Sequence, residues 1–174
     1  MKLRTSLPLS VSATVIFAAF SSAQSPTDPS ITNPPPTQRP ILTVTGKGAQ
    51  IYACQQTESG PQWIFKAPEA TLTDESGLTV GTHSAGPIWI SKDGSSTKGE
   101  LLQKSPSPEP GAIPWLLLKA ASPTGSGIMT HVEFIRRSDT HGGIAPTTGC
   151  DAQHLTATTR VPYTATYTFY SAKP

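Results

Sequence analysis

From Val161 to Tyr170, Val161, Tyr163, Ala165, Tyr167 and Phe169 alternate with Pro162, Thr164, Thr166, Thr168 and Tyr170. A period of two places one set on a single face of an extended chain, whereas a helix would scatter it around its circumference. β-branched and aromatic residues suit a pleated, half-buried surface. Pro162 stands near the start of the run, where a missing N–H donor is tolerated. A chain carrying such a segment must supply further strands to cover its apolar face.

Further strands are expected at Ala49–Gln55, bounded by Gly46 and Gly48, and at Gln62–Lys66, Pro87–Ser91, Ser96–Leu102, Ile113–Ala120 and Ile128–Arg136. Breakers separate them: Ser59-Gly60-Pro61, Asp93-Gly94, Pro106–Gly111, Ser122–Gly127 and His141-Gly142-Gly143. Asp93-Gly94 between two strands is a hairpin turn signal. No segment sustains a helical period, although Ala67–Leu72 is compatible with one short helical turn. The fold class is all-β: a compact antiparallel β-sandwich or a small closed β-barrel over residues 41–174, read as a single domain. Closure would hide strand edges; the pattern alone fits both architectures.

The segment before this domain has two parts. Residues 1–23 have the layout of a signal peptide. Lys2 and Arg4 precede the uncharged run Leu7–Phe20, then the small residues Ser21, Ser22 and Ala23, with cleavage expected before Gln24. The run is short for a bilayer span of roughly 20 apolar residues, so no transmembrane segment is expected in the mature chain. Residues 24–40, rich in Pro, Ser and Thr with Pro34-Pro35-Pro36 in a row, are expected to form a disordered lead-in. The protein is therefore expected to be secreted or periplasmic.

Charge narrows the partners. The chain has 13 Lys+Arg and 11 Asp+Glu, and removing Lys2 and Arg4 leaves the two signs equal. A neutral mature chain offers no basic surface for nucleic acid. The two cysteines, Cys54 and Cys150, lack close ligand spacing. In an oxidising compartment they are expected to form a disulfide tying the first strand to a loop before the last.

Candidate chemistry is sparse. His83, in Gly81-Thr82-His83-Ser84-Ala85-Gly86-Pro87, reads as a loop residue bonded to backbone or as a ligand for copper or zinc. His141, before Gly142-Gly143, is the other weak metal candidate. His131 is expected on a strand facing solvent, and His154 in a polar connection. No pair has H-x-H or H-x-x-x-H spacing, and no cofactor is predicted. A copper centre on the terminal amine would need histidine at the first mature position, which is expected to be Gln24. There is no G-x-S-x-G elbow and no catalytic residue is assigned. A carboxylate pair for glycoside hydrolysis could be drawn from Glu69, Asp74, Glu75, Asp93, Glu100, Glu133, Asp139 and Asp151, residues more often solvated in turns. Trp63, Trp89 and Trp115, with Tyr52, Tyr163, Tyr167 and Tyr170, would fill a core or, facing out, a stacking platform. Trp115 reads as core. Trp89, His83 and Asp93 are the candidate ligand-binding residues, and Arg137 and Arg160 could each pair with Asp139 or Asp151 near the Cys150 loop, a structural role.

Many local strings occur together: Gly48-Ala49-Gln50-Ile51-Tyr52-Ala53-Cys54, Pro68-Glu69-Ala70, Gly81-Thr82-His83, Gly86-Pro87-Ile88-Trp89, Asp93-Gly94-Ser95 and Ile113-Pro114-Trp115-Leu116-Leu117. Then come Gly142-Gly143, Gly149-Cys150-Asp151, Arg160-Val161-Pro162-Tyr163 and Tyr167-Thr168-Phe169-Tyr170. In this order, from about Gly46 to Tyr170, the chain resembles the DUF3455 domain family of exported bacterial and fungal proteins. The resemblance implies no established activity and no catalytic residues. The malate dehydrogenase label borne by some members meets no G-x-G-x-x-G and no βαβ alternation in this sequence.

The function expected from these features is a non-catalytic binding or interaction module for a small molecule, a glycan or an envelope partner. An extracellular metal-dependent or hydrolytic enzyme using His83 and loop carboxylates is the alternative. A structural envelope or wall protein is the third.

Overall fold

The computed structural model describes residues 28–174, so the expected signal peptide lies outside the described residues. Eight strands follow one another: β1 (Gln38–Thr57), β2 (Gly60–Thr73), β3 (Thr79–Ser84), β4 (Ile88–Ser91), β5 (Ser96–Ser105), β6 (Trp115–Thr124), β7 (Phe134–Gly142) and β8 (Thr158–Ala172). Each pairs antiparallel with the next, and β8 returns to pair with β1, closing an up-and-down barrel. The choice between sandwich and barrel is thereby settled. Closure leaves no exposed edge for another chain to extend.

The alternation in β8 does what its period demands. Tyr163, Ala165, Tyr167 and Phe169 are buried inside the barrel, where they meet Val44 of β1, Leu72 of β2, Trp89 of β4, Leu118 of β6 and Ile135 of β7. Outward positions such as Thr43, Thr45, Lys47, Lys98 and Lys119 are exposed. Register shifts at Ile51/Tyr52 in β1, at Leu101/Gln103 in β5 and at Ser138/His141 in β7 add the bends that closure needs. No helix among the described residues is long and apolar enough to cross a membrane.

Several sequence expectations are corrected. Gly46 and Gly48 do not bound a strand but lie within β1. A Cβ on Gly46 would stand 2.6 Å from Cε2 of Tyr167, and one on Gly48 would collide with the Glu69 carbonyl and stand 2.6 Å from Cα of Ala70. They are glycine because rings and backbone pass close, which a one-dimensional reading takes for strand ends. Ala67–Leu72 is not a helical turn; it belongs to β2, with Ala67 opposite Ile51 and Leu72 opposite Gly46. Strand pairing overrides the weak helix propensity of an Ala/Glu/Leu run. The strand expected from Ile128 starts only at Phe134, after a 3-10 helix (Ile128–His131) that seals one end of the barrel. Met129 of that helix is 1% exposed, and its N–H donates to Ser95 Oγ at 3.1 Å. His131 is exposed, as expected, but at the end of this helix rather than on a strand.

The disordered lead-in expected over residues 24–40 is corrected from Asp28 onward. Asp28 caps a 3-10 helix (Pro29–Thr32), accepting from Ser30 N–H at 2.9 Å. The helix lies against β5 and β6 on the outside of the wall. Thr32 is fully buried there; its hydroxyl donates to Pro29 O at 2.7 Å and accepts from Arg136 Nε at 3.4 Å. Prolines that look like disorder markers here lower the entropy lost on docking.

The expected disulfide is present. Cys54 in β1 and Cys150 in the β7–β8 loop are bonded, with Cα atoms 5.3 Å apart and a sequence separation of 96. Backbone bonds extend the staple: Thr156 N–H donates to Cys54 O at 2.9 Å and Cys54 N–H to Ala157 O at 2.8 Å. Trp63 Nε1 donates to Thr148 O in the same loop at 2.9 Å, which fixes Trp63 as a loop anchor.

Candidate functional site

Strand direction separates the two ends of the barrel. β4 runs from Pro87 to the Asp93 turn, and β5 runs back from that turn toward Leu101 and Lys104. The 3-10 helix with Met129 covers the Asp93 end. A cavity of about 580 Å³ opens at the other. Eight strands enclose an interior just wide enough for side chains or one small ligand, so a stretch of interior left unfilled is a candidate site.

The inner wall of the cavity is aromatic and apolar. Trp89, Tyr167, Leu118 and Ile113 line it and are each at most 5% exposed. His83 faces Trp89 across the β3–β4 pair, where the two are register partners. Their rings stack with centroids 4.2 Å apart and planes at 8°, and Tyr167 meets both edge-on. His83 Nδ1 lies 2.9 Å from the carbonyl oxygen of Ile88. A carbonyl can only accept, so Nδ1 carries the proton and Nε2 is the ring's acceptor. Burial, with the positive charge of Arg137 nearby, pushes the imidazole down to about 4, against the Ile88 bond that favours protonation. The ring is therefore neutral at physiological pH.

Polar groups are few and specifically placed. Arg137 of β7 is half-buried, and its Nε and Nη2 both donate to Pro114 O at 3.0 and 2.8 Å. Tyr52 Oη donates to Gly143 O at 2.6 Å, and the hydroxyls of Tyr163 and Tyr167 are 3.2 Å apart. Burial raises all three phenols above their ordinary range, while the charge of Arg137 pulls in the opposite sense. Gln50 Nε2 and Trp89 Nε1 are buried donors without a hydrogen-bond partner among the described residues. At the rim, Phe65 and Leu101 are 50% and 57% exposed, flanked by Lys66 and Lys104. No Asp, Glu, Ser, Thr or Cys is among the described residues lining the cavity.

The candidate residues read from sequence separate in space. His83 and Trp89 stand side by side in the cavity wall; His83 is on strand β3 rather than in a loop. Asp93 is in the turn at the opposite end. Its carboxylate accepts from the Ser95 hydroxyl and N–H and, at 2.8 Å, from Ile128 N–H, and these bonds hold it far below the usual carboxylate range. His141 is exposed on β7 and pairs with Glu109, apart from buried His83. The described residues contain no cluster of three or more His, Cys, Asp or Glu able to hold a metal ion.

The expected arginine pairings are corrected. Arg137 bonds the Pro114 carbonyl, and Arg160 pairs with Glu69 at 2.6 Å. Asp139 accepts from Ser138 and Asp151 from His154. Trp115 is half-buried beneath the guanidinium of Arg136, 5.0 Å from the ring centre, not in the barrel interior. Sequence reasoning gives Arg137 a structural pairing rather than a place in the cavity, and does not single out Gln50, Phe65, Leu101 or the two rim lysines as site residues. A signal was present for two of them. Gln50 shares the inward parity of Val44, Tyr52 and Cys54, and Arg137 that of Ile135, so each is a polar group written into a core-facing series.

No curated protein and no solved structure matches the chain. A family model does, over residues 35–171, from the N-terminal residues that precede β1 almost to the end of β8. The protein belongs to this family, whose description is "Protein of unknown function (DUF3455)".

Proposed function

We propose that this protein is an exported, non-catalytic binding module that takes a small apolar molecule into the open end of its barrel. The observation that carries this reading is the aromatic cavity of about 580 Å³ with two buried N–H groups that have no partner, on Gln50 and Trp89. Buried donors are almost always satisfied in native proteins, because an unmade bond costs about 1–3 kcal/mol. An acceptor that arrives with a ligand removes that cost. The cavity volume falls in the range of small-molecule sites, roughly 300–1,000 Å³. A lining without carboxylate, hydroxyl-bearing serine or threonine, or thiol suits retention rather than turnover. Export is supported by the layout of residues 1–23 and by the Cys54–Cys150 bond, which persists in oxidising compartments.

The test is a thermal-shift and calorimetric screen of small apolar compounds on the disulfide-bonded protein, repeated on Leu116→Trp, which fills the cavity. Binding by the parent protein that disappears in the variant, with the β-type circular dichroism retained, supports the reading. A screen with no binder, or binders indifferent to Leu116→Trp, overturns it.

A further inference from the structure

We infer that the occupant of this cavity is an organic anion, an apolar body carrying one carboxylate-type head that Arg137 receives. The inference rests on the small-molecule reading above and adds the chemical class of the ligand. Three independent features converge on it.

The first is charge. Arg137, Lys66 and Lys104 border the cavity, and no acidic residue is among the described residues that line it. The protein as a whole has no such bias: removal of Lys2 and Arg4 leaves equal numbers of each sign. The nearest acid–base pairs in sequence are satisfied elsewhere, Glu109 with His141 and Glu69 with Arg160. Arg137 itself is half-buried, forms no ion pair among the described residues, and meets only neutral groups, the Pro114 carbonyl and the Tyr167 hydroxyl. A guanidinium withdrawn from water without a counter-charge is costly, and a carboxylate is the acceptor that its planar fork fits best.

The second is the direction of the missing bonds. Gln50 Nε2 and Trp89 Nε1 can only donate, so a ligand that pairs with them brings acceptor atoms, which a carboxylate supplies. The third is the apolar surface continuous with these donors. Trp89, Ile113 and Leu118 line the interior, and exposed Phe65 and Leu101 carry apolar area out to the rim. An apolar tail or ring system buried there is removed from water, at roughly 25 cal/mol per Å². His83 adds no positive charge because it stays neutral, so Arg137 is the cation that selects the head.

The experiment compares acids with their neutral counterparts by isothermal titration calorimetry: decanoate against decanol, and 2-naphthoate against 2-naphthylmethanol. The expected result is that at least one acid binds about ten- to a hundredfold tighter than its alcohol, the range for a hydrogen bond to a charged group. Decanoate preferred over 2-naphthoate identifies a chain-like body, and the reverse a flat one. Arg137→Gln abolishes the acid preference and leaves alcohol binding in place, whereas Arg137→Lys keeps part of it. Should Arg137→Gln not fold, the Lys66→Gln/Lys104→Gln variant, altered only at the exposed rim, is expected to lower the acid preference several-fold. Acid and alcohol bound equally by the parent protein would overturn the anion assignment while leaving the cavity reading intact. Absence of binding by all four, together with an empty wider screen, would remove the cavity reading itself.

Discussion

The imidazole of His83 and the indole of Trp89 lie parallel, 4.2 Å between ring centres, as register partners on neighbouring strands beneath the open end of the barrel. The pair is the middle of a larger aromatic group. Tyr167 packs edge-on against both rings, and Phe169 against Trp89. Its burial couples the state of one proton to the stability of the barrel.

The folded-state pKa of His83 is depressed to about 4 from an ordinary 6.5, so between these values the unfolded chain binds the extra proton. Stability from this ring is present above pH 6.5 and is lost as the pH falls toward 4. Wild-type protein is expected to lose about 2–3 kcal/mol more than His83→Phe between pH 7 and 4.5, at roughly 1.4 kcal/mol per pH unit. Urea denaturation of both proteins across that interval measures it, and parallel curves would contradict it. Groups common to both proteins, the carboxylates included, cancel in the difference between the two curves.

Gly48→Ala tests the close approach of β1 and β2. The new methyl would meet the Glu69 carbonyl, a backbone group that cannot swing away as a side chain can. A loss of about 1–3 kcal/mol is expected, as for overpacking of a tight site. Denaturant unfolding would show it as a fall in midpoint at unchanged slope.

Removing the staple with Cys54→Ala and Cys150→Ala frees a loop of 96 residues in the unfolded chain. The chain-entropy model gives a cost of about 4–5 kcal/mol. Guanidinium unfolding of the oxidised parent against the double variant reads this difference. A change below about 1 kcal/mol would mean that the unfolded chain stays restricted without the bond.

Asp93→Ala should loosen the closed end and leave the open end alone. Its carboxylate bonds both the hairpin turn, at Ser95, and the 3-10 helix, at Ile128 N–H. Its lowered pKa means that this contribution is present above the ordinary carboxylate pKa of 3.8 and fades as pH falls below it. Faster amide hydrogen exchange is expected at Ser95, Ile128 and Met129, with β8 amides unchanged. Uniform acceleration through the barrel would contradict the local role.

The residues legible in the one-dimensional pattern share a property: their neighbours in sequence define their role. β8 is the example, since alternation alone separated Tyr163, Ala165, Tyr167 and Phe169 from the threonines between them. The Asp93-Gly94 turn was legible for the same reason, with Gly94 at φ 83° where a side chain is disfavoured. Gly46 and Gly48 look like strand ends in one dimension because their partners, Tyr167 and Glu69, are distant in sequence. The local sequence around His83 reads as a loop because β3 is a short strand among glycines, recognisable only once β2 and β4 flank it. Thr32 and its prolines belong to the fold because β5 and β6 offer a surface that no local pattern announces.

The sequence by itself determined an all-β domain, the pairing of Cys54 with Cys150, and which face of β8 is buried, since period, turn chemistry and cysteine count are local or countable properties. Only the tertiary structure decided that the sheet closes into a barrel, that one end is plugged by Met129, and that Gln50, His83, Trp89 and Arg137 meet around one cavity. These last facts depend on register between strands far apart in the chain. Register is fixed by the summed fit of all eight strands, and no single segment carries it.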